Sequence, residues 1–371
     1  MSILFEPGKI GKMSLRNRFV RSATGDGWID KYGYVTESQI KLYTALAAGG
    51  VGLIVTGGMR IDMLSQVAPI QGSLASDDYI PGWSKLVNAV HQEGAKIAMQ
   101  LNHGGKTAAS VLNKHNILAV APSYVDNDPY RKGDHRTLTE DEIWKVIDAF
   151  GDGARRAQDA GFDGVQIHGG HGMLVSEFLS PFTNRRSDQW GGSLENRLRF
   201  HHEIYKNMRK KVRKGFPVFI KFGVEDGFPG GLEIKEGKRA AKYLEEWGYD
   251  AIEITLGVRG EVYEGTEFKQ KIDSIEREAY YRDWTREVRA KVDLPLITQG
   301  GFKTFELMEE VIERKEADFI ALCRPLISEP EIINEWKKGD HRRSRCISCN
   351  KCLEMVLAAK PMECILNKKG S

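Results

Sequence analysis

Pro295-Leu296-Ile297-Thr298-Gln299-Gly300-Gly301, then Thr304 to Arg314, then Phe319-Ile320-Ala321-Leu322-Cys323-Arg324, is the segment on which the fold turns. A short apolar run ending in glycine, an amphipathic segment of helical period and a second short apolar run read as strand, helix and strand. Two strands joined by a helix lie parallel, because only a long crossover returns the chain to the same edge. Working outward, the same alternation recurs eight times. The apolar runs are Arg18 to Ala23, Gly52 to Thr56, Lys96 to Leu101, Gly164 to His168, Val218 to Phe222, Ala251 to Thr255, Pro295 to Gln299 and Phe319 to Cys323. The helical stretches are Thr36 to Ala48, Gly82 to Glu93, Thr139 to Ala160, Glu195 to Val212, Lys235 to Trp247, Glu276 to Val292, Thr304 to Arg314 and Glu329 to Lys337. Thr139-Glu140-Asp141-Glu142 has the form of a capping box and marks one helix start with a mechanism. An open doubly wound sheet usually has five or six strands and a phosphate fingerprint after the first. No G-x-G-x-x-G follows the first strand here, so the reading is an α/β fold, a (β/α)8 TIM barrel over residues 1–340. Residues 341–371 form a cysteine-rich tail expected to pack on it. The segment Gly104 to Arg136 lacks either period and is expected to be a lid or binding loop.

Composition narrows the function. Lys and Arg number 54 against 51 Asp and Glu, a net charge of +3 in 371 residues, so no global field favours nucleic acid or an anionic membrane over small molecules. Apolar runs such as Val51 to Val55 fall far short of the ~18 to 20 residues that span a bilayer. Met1 to Ser14 carries Glu6, Lys9 and Lys12 and lacks the apolar core of a secretory signal, so the expected location is cytoplasmic. The expected partner is a small-molecule substrate, and a homo-oligomer is compatible with this composition.

In a barrel the chemistry sits where strands end. The ends here read Ser22-Ala23-Thr24, Thr56-Gly57-Gly58, Gln100, His168-Gly169-Gly170-His171, Lys221, Thr255, Gln299-Gly300-Gly301 and Cys323-Arg324. All are polar or glycine, which describes a wide polar-rimmed cup for a large ligand. Barrels commonly bind phosphate in the loops after strands seven and eight, where Gly300-Gly301 offers backbone amides and Arg324 a guanidinium fork. His168 and His171 can both point into the cup and polarise one substrate oxygen; a structural or metal role fits the spacing equally well. Lys221, alone among Phe219, Ile220 and Phe222, needs an anion or else serves as a Schiff-base nucleophile, as in a barrel aldolase.

Larger motifs then carry a resemblance. Arg16-Asn17-Arg18-Phe19, Gln100-Leu101-Asn102-His103-Gly104-Gly105-Lys106, His168-Gly169-Gly170-His171-Gly172, Glu177 to Pro181, Asn184 to Arg197 and Arg324-Pro325-Leu326-Ile327 together resemble the old yellow enzyme family of FMN-dependent barrels, over essentially the whole chain. Cys346-Ile347-Ser348-Cys349-Asn350-Lys351-Cys352 and Cys364 draw it towards the branch that includes 2,4-dienoyl-CoA reductase and trimethylamine dehydrogenase, without their further C-terminal domains. The resemblance implies an ene-reductase-like enzyme that takes hydride from NAD(P)H and reduces an activated alkene. Amine oxidation or demethylation is the alternative within the branch, although no aromatic bowl is evident at Thr255 to Val258.

It also implies that Ala23, Thr24, Gly25, Gly57 and Gln100 line the flavin and ribityl chain, that Lys221 lies by the N1/O2 edge, and that Gly301, Cys323 and Arg324 hold the phosphate. A cation beside N1 would favour acceptance of hydride. His168 and His171 would grip the substrate oxygen. Two departures matter. Met173 stands where many members have a proton-donating tyrosine, and Gly25 stands where amine-dehydrogenase relatives attach the flavin through cysteine, so the FMN is expected to be non-covalent. C-x2-C-x2-C with Cys364 beyond has the form of a [4Fe-4S] ligand set; zinc would also fit four thiolates, and free cysteines remain a third reading.

Overall fold

The structure is a computed structural model that describes residues 2–126, 128, 133–260 and 265–367. Eight parallel strands, β1 (Phe19–Arg21), β2 (Leu53–Arg60), β3 (Lys96–Asn102), β4 (Gly164–Gly169), β5 (Val218–Gly223), β6 (Ile252–Thr255), β7 (Leu296–Thr298) and β8 (Phe319–Leu322), close into a barrel. The crossovers carry α1 (Glu37–Ala48), α2 (Ile80–Gln92), α3 (Glu140–Asp159), α4 (Leu194–Lys211), α5 (Ile234–Trp247), α6 (Arg282–Arg289) and α7 (Phe305–Glu313), and α8 (Ile332–Lys337) follows β8. The expected capping box is present at α3, where the Thr139 side chain accepts from the Glu142 amide and the Glu142 carboxylate from the Thr139 amide.

Side-chain alternation sorts the core into two shells. Val20, Leu53, Val55, Ala98, Phe219, Ala251, Ile297 and Phe319 pack together inside the barrel. Ile54, Ile97, Val165, Ile220, Ile252 and Ile320 face the helices. A hairpin of Gly8–Ile10 and Met13–Leu15 adds Ile10, Met13 and Leu15 to the inner shell and closes the end where the strands begin. Two residues further along five of the strands, the inward positions are Ser22, Gln100, Lys221, Glu253 and Gln299, so a polar layer rests on an apolar one.

Several expected elements differ. The helix read over Glu276 to Val292 is a single 3-10 turn at Ile275–Arg277 and then α6, because Ala279 takes a left-handed backbone (φ 53°) between them. The helix read over Glu329 to Lys337 shortens to α8, preceded by the separate turn Arg324–Ser328; Pro330 disfavours the helical conformation at Glu329. The lid segment Gly104 to Arg136 contains a short helix, Ala109–Leu112, and Ala119–Ala121 paired in parallel with His135–Thr137; residues 127 and 129–132 lie outside the described residues. Among the described residues no helix is long and apolar enough to cross a membrane.

Candidate active site

The polar layer is a closed hydrogen-bond network. Register places Lys221 beside both His168 and Glu253, and Gln100 beside Gln166. Lys221 Nζ lies 2.8 Å from Glu253 Oε1 and donates to Ser22 Oγ at 2.7 Å. Ser22 Oγ donates to Glu253 Oε1 at 2.6 Å. Gln166 Nε2 donates to Glu253 Oε2 at 2.7 Å, and Gln100 Nε2 to Gln166 Oε1 at 2.7 Å. The anion that Lys221 required is therefore Glu253, completely buried within the barrel.

Above this floor opens a cavity of about 310 Å³. Every residue expected to contact cofactor or substrate lines it: Ala23, Thr24, Gly25, Gly57, Gln100, His168, His171, Lys221, Gly301, Cys323 and Arg324. Gly57 follows a register shift between Val55 and Gly58, and a Cβ there would stand 2.8 Å from Thr24 O. Only glycine lets the two strand ends approach this closely at the cavity wall. At the far end Gly300 and Gly301 take positive φ (124° and 78°), and Arg324 Nη1 donates to Lys269 O at 2.7 Å and to Asn350 Oδ1 at 2.8 Å. The Cys323 thiol is 3.2 Å from Thr24 Oγ1; burial opposes the thiolate, but Arg21 and Thr24 outweigh it and hold the thiol below its ordinary pKa.

His168 and His171 meet edge to face, their ring centroids 5.0 Å apart. His171 has a left-handed backbone (φ 60°), secured by its amide donating to Leu256 O at 3.0 Å and by Gly172 N donating to Gly257 O at 2.9 Å. Burial pushes both imidazoles well below their usual pKa; for His168 the neighbouring His171 and Lys221 add to this, and for His171, Arg259 and Lys221. Both rings are thus neutral near pH 7, each with one N–H to offer. His171 Nε2 lies 2.7 Å from Thr255 Oγ1, which accepts from Gln299 Nε2 at 2.9 Å. His168 Nδ1 is buried and has no hydrogen-bond partner in the protein.

Sequence reasoning found no carboxylate near the histidines. Glu267 supplies one, its Oε1 being 3.5 Å from His171 Nδ1, but that carboxylate is already paired with Arg259, whose Nε lies 2.7 Å from Oε2. Arg259, Glu267 and Phe268 line the cavity from the irregular segment after β6, which has no period to betray them. Glu253 and Gln166 were missed too, although each is a lone polar residue between apolar neighbours on a strand (Ile252-Glu253-Ile254, Val165-Gln166-Ile167).

The tail reaches the cavity. Met362 N donates to Asp26 O at 2.7 Å, Ser344 N to Lys303 O at 3.0 Å, and Cys352 and Val356 line the wall. The thiols of Cys346, Cys349, Cys352 and Cys364 are free. Burial raises Cys346, and it raises Cys352 to about 11. Among the described residues no three or more His, Cys, Asp or Glu side chains converge as a metal-holding group. Cys346 and Cys364 stand near enough to act on each other electrostatically, as do Cys346 and Cys352. FMN is different. The Lys221 cation, the Gly300-Gly301 backbone at positive φ and the Arg324 guanidinium, all lining one cavity, suit a planar, anionic, hydrogen-bonding cofactor.

A closed eight-stranded barrel with a cation at its floor, paired imidazoles on its wall and a glycine-arginine end is built to hold a large anionic ligand across its mouth. Residues 3–342 match the model of the NADH:flavin oxidoreductase / NADH oxidase family, and the chain belongs to that family. It is 35% identical over 353 residues to an NADH oxidase of Thermoanaerobacter brockii, covering 94% of this chain and 52% of the relative. It is 32% identical to a cinnamate reductase of Clostridium sporogenes, covering 98% and 57%. The structure of a 2-naphthoyl-CoA reductase in complex with 2-naphthoyl-CoA superimposes with a TM-score of 0.89 at 28% identity, over 98% of this chain and 57% of that one. The chain thus spans about half the length of these proteins.

Proposed function

We propose that the chain is an FMN-dependent oxidoreductase that takes hydride from NAD(P)H and reduces an alkene activated by a neighbouring carbonyl. The carrying observation is the neutral His168/His171 pair, meeting edge to face on the cavity wall close to Lys221. FMN, when bound non-covalently, supplies the hydride relay between nicotinamide and substrate. Ala23, Thr24, Gly25, Gly57 and Gln100 would hold it along the wall, Gly301, Cys323 and Arg324 at its phosphate, and Lys221 at the floor. The imidazole N–H groups donate to the substrate carbonyl oxygen and draw electron density from the conjugated β-carbon, where the hydride adds. Met173 lines the cavity and has no proton to give, so another acid or water supplies the proton to the α-carbon. The names of the cinnamate and 2-naphthoyl-CoA reductases support this class, since both denote a π-system conjugated to a carboxylate or thioester carbonyl.

The other readings fare worse. A Schiff-base nucleophile needs a free lone pair, whereas Lys221 is held by Glu253 and Ser22. For amine oxidation, the aromatic faces that would attract a cation are Phe268 and Tyr280, and Arg259 and Lys269 already stand 5.0 and 5.1 Å from their centroids. The test is reconstitution with excess FMN, then anaerobic stopped-flow with NADH and NADPH and a panel of enones, enoates, thioesters and amines. Bleaching by nicotinamide and recovery with conjugated carbonyl compounds are expected. A colourless protein, or a flavin that only amines reduce, refutes the proposal.

A further inference from the structure

Glu253 is an acid with no face on the cavity, fully buried beneath it, and the mechanism above leaves it unused. We infer that Glu253 is a positioning residue that sets how much positive charge Lys221 presents to the flavin, and thereby how readily FMN is reduced; the inference rests on the FMN reading.

The geometry leaves Glu253 little other occupation. One carboxylate oxygen takes Lys221 at 2.8 Å and Ser22 at 2.6 Å, and the other takes Gln166 at 2.7 Å. Lys221 and Ser22 line the cavity; Glu253 and Gln166 do not. A lone ammonium acts on a neighbouring anion with an energy that falls as the inverse of distance. Paired with a carboxylate on its far side, the same ammonium presents a dipole, whose pull is weaker. The carboxylate also fixes the direction of the hydrogen-bond chain that runs through Gln166 to Gln100 on β3. Because it can only accept, Gln166 must turn its amide nitrogen towards Glu253 and its oxygen towards Gln100, and Gln100 spends its own nitrogen on Gln166. Gln100 is left to offer its carbonyl oxygen to a ligand N–H. One buried acid therefore both tempers the Lys221 cation and orients an acceptor on β3, two strands from that of Lys221.

The test uses full-length FMN-loaded protein, with flavin content measured first and then the midpoint potential and the affinity for sulfite. Glu253→Gln removes the charge with almost no change of shape. It is expected to raise the potential and tighten sulfite binding about tenfold, which corresponds to about 30 mV for a two-electron couple. Glu253→Asp withdraws the charge by one methylene and is expected to shift both readings the same way by less. Lys221→Met should shift them the opposite way, since it removes the positive end of the same pair. Unchanged potential in both Glu253 variants overturns the inference, as does a fall in potential in Glu253→Gln. Wild-type protein that binds no FMN would instead sink the functional reading itself.

Discussion

The floor and the rim of the cavity bury polar groups by different means. On the floor, Ser22, Gln100, Gln166, Lys221 and Glu253 project from strands and satisfy one another. At the rim, Arg324 is held by Lys269 O and Asn350 Oδ1, one from a loop and the other from the tail, and Arg259 leans on Glu267 from within a single loop. Strands fix side chains to within a fraction of an ångström, whereas loops need such cross-ties to do the same. Charge is therefore tuned at the floor, and ligand shape is read at the rim.

The histidine pair stands where the two regions meet, and removing it should have the largest effect. His168→Ala with His171→Ala is expected to retain FMN but lose affinity for phenolic ligands and slow reduction of conjugated carbonyl compounds by about 10² to 10³. Unaltered phenol titrations would mean that the rim alone orients the substrate.

A second variant sharpens the contrast by testing a buried polar group with no network. His201 on α4 is completely buried against Phe222, and neither ring nitrogen has a partner. Burial depresses its pKa to about 3. A depressed histidine contributes stability that is present above the unfolded value, ~6.5, and lost as pH falls towards the folded one, up to about 5 kcal/mol in all. Asp226 works the other way. Burial raises it to about 6 despite bonds from Ser180, Leu232 and Val258, so the strain of its ionised form is relieved as pH falls from about 6 towards 4. His201→Leu should stabilise the fold at pH 7 by about 1 to 3 kcal/mol. Between pH 7 and 4.5 it should also lose about 3 kcal/mol less than the parent does. Urea unfolding at the two pH values measures both; equal losses would place the acid sensitivity elsewhere.

The smallest effect is expected at the rim. Asn350→Ala frees Arg324 from the tail and should weaken FMN binding about fivefold, or ~1 kcal/mol, by fluorescence titration. An unchanged dissociation constant would show that Lys269 O suffices to hold the arginine.

The two regions also differ in how far they could be read from residues alone. Strands announce themselves by short apolar runs, and the residue ending each run falls where barrel geometry predicts, so His168, Lys221, Gly301 and Arg324 reached the cavity as expected. Glu253 escaped because an acid inside an apolar run looks like an interruption until its partner across the register is known. Arg259, Glu267 and Asn350 escaped for another reason. They lie in segments whose paths are set by distant contacts, such as Asn350 Nδ2 donating to Phe268 O at 2.6 Å, and no local period encodes those. The four tail cysteines were conspicuous by spacing alone, since C-x2-C-x2-C needs no distant contact to be seen.

The hairpin carrying Ile10, Met13 and Leu15 has a kinetic corollary. With an apolar plug where the strands begin and a polar layer above it, the cavity lies at the other end of the barrel, where the strands finish. Under the proposed function, reductant and oxidant that share this cavity would compete for one place, and each should inhibit at high concentration.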